Sequence, residues 1–165
     1  MLELKQISKK AIPHALKKAE RYRLIEDPGQ AESICLDILE VEPEHHEARI
    51  MLILALTDQL RYRMDAFTEA KERIAALDDP YERAYYLGVL RERRARVHYL
   101  ARITGSGYVA HEWFQRALAS FEEAEKLRPA GNDDCLYRWN AIARTLNRST
   151  FLRPAPHDPV PLSME

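Results

Sequence analysis

Two stretches of the chain share one spacing, and this spacing restricts the folds that the chain can adopt. In each stretch an Ala is followed four positions later by a bulkier apolar side chain, and a Pro comes eight positions after that. The residues are Ala31, Cys35 and Pro43 in the first stretch and Ala117, Phe121 and Pro129 in the second. Residues four apart lie on one face of a helix, and a Pro ends a helix. The spacing therefore predicts pairs of close-packed helices, each closed by a Pro.

The composition favours helices and a single folded unit. The chain has 165 residues, of which 46% are hydrophobic and 31% charged, and only 5 are Gly. These values are typical of one globular domain or one short repeat array. No run of apolar residues is long enough to cross a membrane, so no membrane association is expected. Cys35 and Cys135 lie on predicted apolar helix faces, which favours buried thiols in a reducing, cytoplasmic setting.

Apolar periodicity and turn signals divide the chain into three regions. Residues 1–11 are expected to form an N-terminal arm or a short helix, and residues 148–165 an extended, Pro-rich tail. Residues 12–147 are predicted to be a helical domain. Its predicted helices cover about 13–25, 30–43, 46–59, 66–77, 80–103 and 109–127, with a seventh after Asn132 or Asp133.

The repeated spacing resembles the tetratricopeptide repeat, whose pattern is W-x2-L-G-x2-Y…A-x3-F…P over about 34 residues. In the first unit Ala15, Ala19 and Tyr22 fall on the W, G and Y positions, while Leu87 and Gly88 match L and G in the last unit. The resemblance implies an all-α fold: a right-handed superhelical array of about three antiparallel helix hairpins plus a C-terminal capping helix. The chain departs from the family in its longer Pro-to-Pro spacings, 37 residues from Pro43 to Pro80 and 49 from Pro80 to Pro129, and in having Arg91 at the Tyr position.

The resemblance also implies a function, because the first helices of successive repeats line a concave groove that binds peptides or protein segments. The corresponding positions in this chain are Leu16, Glu20, Arg23, Ile50, Leu54, Thr57, Tyr85, Val89 and Arg93. Some family members hold a peptide carboxylate with Lys and Asn, but Leu16 and Glu20 occupy those positions here. The prediction is therefore an adaptor with an apolar groove and a protein or peptide partner. The alternative is that Leu54, Tyr85 and Val89 are packed beneath the N-terminal arm or the tail, so the sequence leaves open whether the groove is open or filled.

A basic run supplies a second hypothesis. Its members are Arg91, Arg93, Arg94, Arg96 and Arg102, with one acid, Glu92, among them. Such a run can contact nucleic acid or an acidic partner, or its side chains can cover apolar surface while the charges stay in water. The formal net charge of −1 argues against a nucleic-acid partner. A third hypothesis is that the chain is a subunit of a homodimer or of a larger complex.

No pattern in the sequence predicts catalysis or a metal site. His45 and His46 are adjacent and so point in different directions, unlike the i, i+4 pair that binds zinc. The two Cys lack metal-ligand spacing, and neither a Gly-rich phosphate loop nor a G-x-S-x-G turn is present. We therefore expect a protein that is not an enzyme, with no catalytic residue, no metal ligand and no cofactor.

Overall fold

The computed structural model describes residues 2–156, and all regular structure within that range is helical. Seven α-helices follow a short 3-10 turn at Lys9–Ala11. They are α1 (Ile12–Leu24), α2 (Pro28–Val41), α3 (His46–Asp58), α4 (Ala66–Ala75), α5 (Pro80–Ala101), α6 (Ser106–Leu127) and α7 (Asp134–Arg148). The expectation of an all-α chain is confirmed for the described residues.

Side-chain caps set the starts of three of these helices. The Asp27 carboxylate accepts a hydrogen bond from the Gln30 N–H at the start of α2. His45 Nδ1 accepts one from the Ala48 N–H at the start of α3, and the Asp79 carboxylate accepts one from the Tyr81 N–H at the start of α5. Each cap satisfies an N–H that has no partner within its helix.

The start of α6 differs from the sequence-based prediction. The Gly105-Ser106-Gly107 stretch predicts a break before Val109, but α6 begins at Ser106. Gly105 makes the turn with φ 81°, a left-handed value that suits Gly. Gly107 is inside the helix, where it is buried. A Cβ at Gly107 would lie 2.3 Å from the carbonyl oxygen of Phe151, so the missing side chain lets the C-terminal segment approach α6.

The helices pack in chain order, and the odd-numbered ones also contact each other. Each of α1 to α6 contacts the next helix, and α3 also contacts both α1 and α5. The helices α1, α3 and α5 therefore form one layer, which positions the groove described below. α5 and α6 have 22 residues each, about 33 Å at 1.5 Å per residue. They extend well past α3, which has 13 residues.

Two main apolar cores fill the protein. The first joins α1 to α4, and the second joins α5 to α7. Each core contains a leucine from the other half: Leu90 of α5 is fully buried in the first, and Leu54 of α3 packs against the second. A smaller cluster around Ile12, Ile38 and Ala48 receives Ile7 from the N-terminal arm.

A buried ion pair attaches α7 to α5. Glu92 of α5 is 3% exposed. Its carboxylate accepts hydrogen bonds from Arg138 of α7 at 2.9 Å and from Arg96 of α5 at 2.8 and 3.0 Å. Arg138 also donates through Nε to the Tyr85 hydroxyl at 3.0 Å. Because buried charges are stable only when paired, this network fixes the position of α7.

The first residues after α7 pack against the helices. Leu152 is 5% exposed and belongs to the second core, and the Phe151 ring lies 6.2 Å from that of Tyr99. Residues 153–156 are exposed, and residues 157–165 of the predicted tail lie outside the described range. Leu2 and Leu4 of the N-terminal arm are exposed.

Candidate functional site

The layer formed by α1, α3 and α5 borders a groove made of two cavities. The larger has a volume of about 860 Å³, within the range of roughly 300–1,000 Å³ common for ligand sites. Its lining residues are Pro13, Leu16, Lys17, Glu20, His45, His46, Glu47, Ile50, Met51, Glu82 and Tyr86. The smaller, of about 600 Å³, is lined by Glu20, Arg23, Leu24, Glu26, Pro28, Asp58, Arg61, Tyr62 and Arg93. Glu20 borders both cavities, and we call the two together the inner groove.

Five of the nine sequence-predicted groove residues line this groove. Leu16, Glu20 and Ile50 border the larger cavity. Glu20, Arg23 and Arg93 border the smaller one. The odd-numbered helices thus bring together predicted positions from all three units.

The other four predicted residues are packed against protein. Val89 is fully buried, and Thr57 is 2% exposed. The Thr57 hydroxyl donates to the Leu54 carbonyl oxygen at 2.8 Å, and the Leu54 side chain packs against the second core. Tyr85 stacks on Tyr81 with ring centroids 5.8 Å apart. These four side chains support the layer from beneath.

Sequence reasoning missed several groove residues, of which Met51, Glu82 and Tyr86 contribute most to its chemistry. Glu82 and Tyr86 are four residues apart and share one face of α5, and Tyr86 directly follows the predicted Tyr85. A sequence signal for this face is Gly88, whose missing side chain predicts close packing on the side of α5 away from Tyr86. Burial, with smaller contributions from Tyr85 and Glu82, raises the pKa of Tyr86 to about 12. Tyr86 therefore stays neutral and contributes an apolar ring to the groove.

An aspartate holds the two predicted groove arginines. The Asp58 carboxylate, near the end of α3, accepts a hydrogen bond from Arg23 Nε of α1 at 2.8 Å. It also forms an ion pair with Arg93 Nη1 of α5 at 2.7 Å. One carboxylate thus links all three helices of the layer at the floor of the smaller cavity. One carboxylate offsets one of the two positive charges, but the pairing occupies N–H groups of both arginines that could otherwise bind an anion.

The larger cavity has an apolar floor and an acidic edge. Its carboxylates are Glu20, Glu47 and Glu82, against one Lys, Lys17. Glu82 Oε1 lies 3.0 Å from His46 Nε2. Glu82 Oε2 is buried and has no hydrogen-bond partner among the described residues. The three carboxylates and the one ammonium give this edge of the cavity a negative charge.

The sequence-predicted basic patch does not form one surface. Arg91 turns towards α6, where Nη1 donates to the Arg116 carbonyl oxygen at 3.2 Å and to Ser120 Oγ at 2.7 Å. Burial, together with the nearby Arg116 charge, lowers the pKa of Arg91. Arg94 lies on the α4 side, with its guanidinium 5.9 Å from the centre of the Phe67 ring.

The remaining two arginines of the patch have other partners. Arg96 pairs with Glu92 at 2.8 Å. Arg102 lies at the far end of α5, beside the rings of Tyr99 and Phe151. The four side chains therefore contact four separate parts of the protein. This separation follows from the 3.6-residue helical period, which spreads consecutive arginines around α5.

The described residues contain no group of three side chains arranged to hold a metal ion. His45 acts as the cap of α3, and His46 pairs with Glu82. Cys35 and Cys135 are free and buried. Within residues 2–156, no helix combines the length and apolar character needed to span a membrane.

Comparison of the chain with protein-family models, curated proteins and solved structures gives no match.

Proposed function

We propose that this protein is a protein–protein interaction module whose inner groove binds a segment of a partner protein. In this proposal α1 to α6 are three hairpins of a tetratricopeptide-like superhelix, and α7 is its capping helix. The observation that supports it is the apolar floor of the larger cavity, where Leu16, Ile50, Met51 and Tyr86 border about 860 Å³. A concave apolar surface with a few polar groups at its edge is the usual form of a recognition site.

The edge of the groove indicates the chemistry of the bound segment. Three carboxylates and one ammonium border the larger cavity, so a cationic segment is favoured over an anionic one. The Glu82 side chain is 20% exposed at this edge, so its negative charge can attract a Lys or Arg of the partner. We therefore propose a segment that combines apolar side chains for the floor with basic ones for the edge.

The contacts of Asp58 support a groove formed before binding. By pairing with Arg23 and Arg93, Asp58 links α1, α3 and α5 at 2.7–2.8 Å. A site that is rigid before binding loses less conformational entropy when the partner docks. The expected result is binding without rearrangement of the helices.

Selection from a library of random displayed peptides tests the proposal directly with the full chain. We expect enriched peptides to combine apolar residues with Lys or Arg. Leu16→Glu and Ile50→Glu place a charge on the half-buried floor and should weaken their binding by about thirtyfold, as expected for an interface hot spot worth about 2 kcal/mol. Leu100→Glu is the matched control, because Leu100 is 66% exposed and lies outside the groove.

Glu82→Gln separates the two parts of the proposal. It should weaken the binding of peptides that contain a basic residue and leave the binding of purely apolar peptides unchanged. Failure to enrich any peptide, or equal binding by the Leu16→Glu, Ile50→Glu and Leu100→Glu variants, would refute the groove as the binding site. A folded state of each variant is verified by circular dichroism.

The other sequence-based hypotheses remain predictions. The four arginines of the basic patch are spread over separate contacts, so we do not base a nucleic-acid function on them. Light scattering of the purified chain tests the homodimer.

A further inference from the structure

The C-terminal segment returns to the α5–α6 turn, where Phe151 lies beside Gly107. Two cavities of about 610 Å³ and 390 Å³ lie side by side there and share Arg102, Thr150 and Phe151. Arg153 lines the larger, and Arg148 the smaller. We call Arg102, Arg148 and Arg153 the C-terminal arginine cluster. Arg102 is distant in sequence from the other two, and the packing of Leu152 and Phe151 brings it close to them.

Two aromatic rings lie beside the Arg102 guanidinium. The guanidinium lies 4.4 Å from the centre of the Tyr99 ring and 4.8 Å from that of Phe151. The two ring centres are only 6.2 Å apart, so the rings contact the guanidinium from neighbouring directions and leave its other side open to an anion. Little side-chain entropy remains to be lost when the anion binds.

The surroundings of the cluster contain hydrogen-bond donors and no carboxylate. The residues with hydroxyl groups that line the two cavities are Tyr99, Thr104, Tyr108, Thr145, Ser149 and Thr150. Within residues 2–156, none of the three arginines forms an ion pair, whereas Arg23, Arg93 and Arg138 each pair with a carboxylate. Three positive charges thus collect at one place in a chain whose formal net charge is −1. Such a site favours a compact anion with several acceptor oxygens.

The aromatic rings argue against nucleic acid as the ligand. Arg102 already covers Tyr99 and Phe151, and the Arg153 guanidinium lies 5.7 Å from the centre of the Tyr108 ring. Single-stranded nucleic acids need free ring faces on which to stack their bases. The cluster instead provides forked N–H donors and hydroxyls, which suit a phosphate group.

We propose that the C-terminal arginine cluster binds a phosphate monoester, carried by a small molecule or by a phosphorylated side chain. Arg102 and Arg153 contact the phosphate oxygens in the larger cavity, and Arg148 adds positive charge from the smaller one. This site is separate from the inner groove and does not depend on the function proposed for that groove.

The test is a titration of the ¹⁵N-labelled full chain with inorganic phosphate at constant ionic strength. We expect saturable shifts of the amide signals of residues 99–108 and 145–153. Arg153→Gln and Arg102→Lys should each weaken binding about tenfold or more, because each removes charge-assisted hydrogen bonds to the anion. Arg102→Lys keeps the positive charge and removes the pair of parallel N–H donors of the guanidinium. Arg144→Gln, which removes an exposed arginine of α7 outside both cavities, should bind as the wild type does.

Two further titrations identify the carrier of the phosphate. Glycerol phosphate represents a small molecule, and a capped tripeptide with a central phosphoserine represents a modified side chain. If glycerol phosphate or the phosphoserine peptide binds more tightly than inorganic phosphate, that compound identifies the carrier and the result supports the proposal. Shifts no larger than those caused by chloride at the same ionic strength would overturn it. Unchanged binding by Arg153→Gln, which alters an exposed side chain and should leave the fold intact, would also overturn it.

Discussion

Glu92 gives the sharpest test of how α7 is attached, since it is an almost fully buried charge with two arginine partners. The substitution Glu92→Gln keeps the size of the side chain and removes its charge. One oxygen can still accept a hydrogen bond, but the new amide group faces a guanidinium that can only donate. Arg138 then loses its carboxylate partner while its side chain is 31% exposed.

The expected cost follows from this burial. Removing one partner of a buried ion pair destabilises a protein by about 3–5 kcal/mol. We place Glu92→Gln near the lower end, at about 3 kcal/mol, because the Arg96 side chain is 45% exposed and can be solvated by water. For a domain of this size the melting temperature should fall by about 6–12 °C.

Urea unfolding followed by circular dichroism provides the measurement, and a second pair of the same spacing provides the control. Glu112 and Arg116 of α6 form an i, i+4 ion pair like Glu92 and Arg96, but their side chains are 63% and 50% exposed. Glu112→Gln should therefore cost less than about 0.5 kcal/mol. Equal losses from the two substitutions would show that burial of Glu92 contributes nothing, and would refute the reasoning. Adding Arg138→Met to Glu92→Gln should recover part of the loss, because the more buried of the two unpaired arginines is then removed and only the 45% exposed Arg96 remains.

Three other predictions concern the packing of Gly88, the burial of Cys35 and the ion pairs of Asp58. Gly88→Ala should cost about 1–3 kcal/mol in urea unfolding, because the added Cβ would lie 2.6 Å from the buried Phe121 ring. Gly29→Ala is the control, because no atom lies within 4 Å of the added Cβ and the free energy of unfolding should not fall. An equal loss of stability in both variants would contradict the role of the contact between residue 88 and Phe121. Burial raises the pKa of the Cys35 thiol to about 12, so iodoacetamide at pH 8 should react only as fast as the protein unfolds. Asp58→Asn should lower the melting temperature by releasing two arginines, and an unchanged value would show that the three-helix link is not stabilising.

The helices were predictable because their signals are local. Apolar periodicity, the Pro residues and the turn signals placed the helix boundaries within a few residues of those in the structure. The start of α6 was missed because two glycines looked alike in sequence. Only Gly105 has the backbone angle of a turn, and Gly107 serves a contact with Phe151, which lies 44 residues further along the chain.

The groove was predictable in part, and the limit has a physical cause. The repeat pattern predicts correctly which face of α1 borders the groove, since Leu16, Glu20 and Arg23 all line it. On α5 a rotation of one residue, about 100° around the helix, exchanges a groove position for a core position. This difference places Tyr86 in the groove and Tyr85 against Tyr81, while the predicted Arg93 keeps its groove position. Which of two adjacent residues lies in the groove depends on how α5 packs between α3 and α6. A short window of sequence does not determine this packing.

The exchange of leucines between the two cores has a consequence for how the protein loses its structure. In a repeat array each unit contacts only its neighbours, so one end can melt while the other persists. Here Leu90 of α5 completes the core of α1 to α4, and Leu54 of α3 packs into the core of α5 to α7. Melting of either half therefore removes an apolar side chain from the other and opens a void there. The reciprocal insertion couples the halves, so that the helices α1 to α7 unfold in one cooperative step.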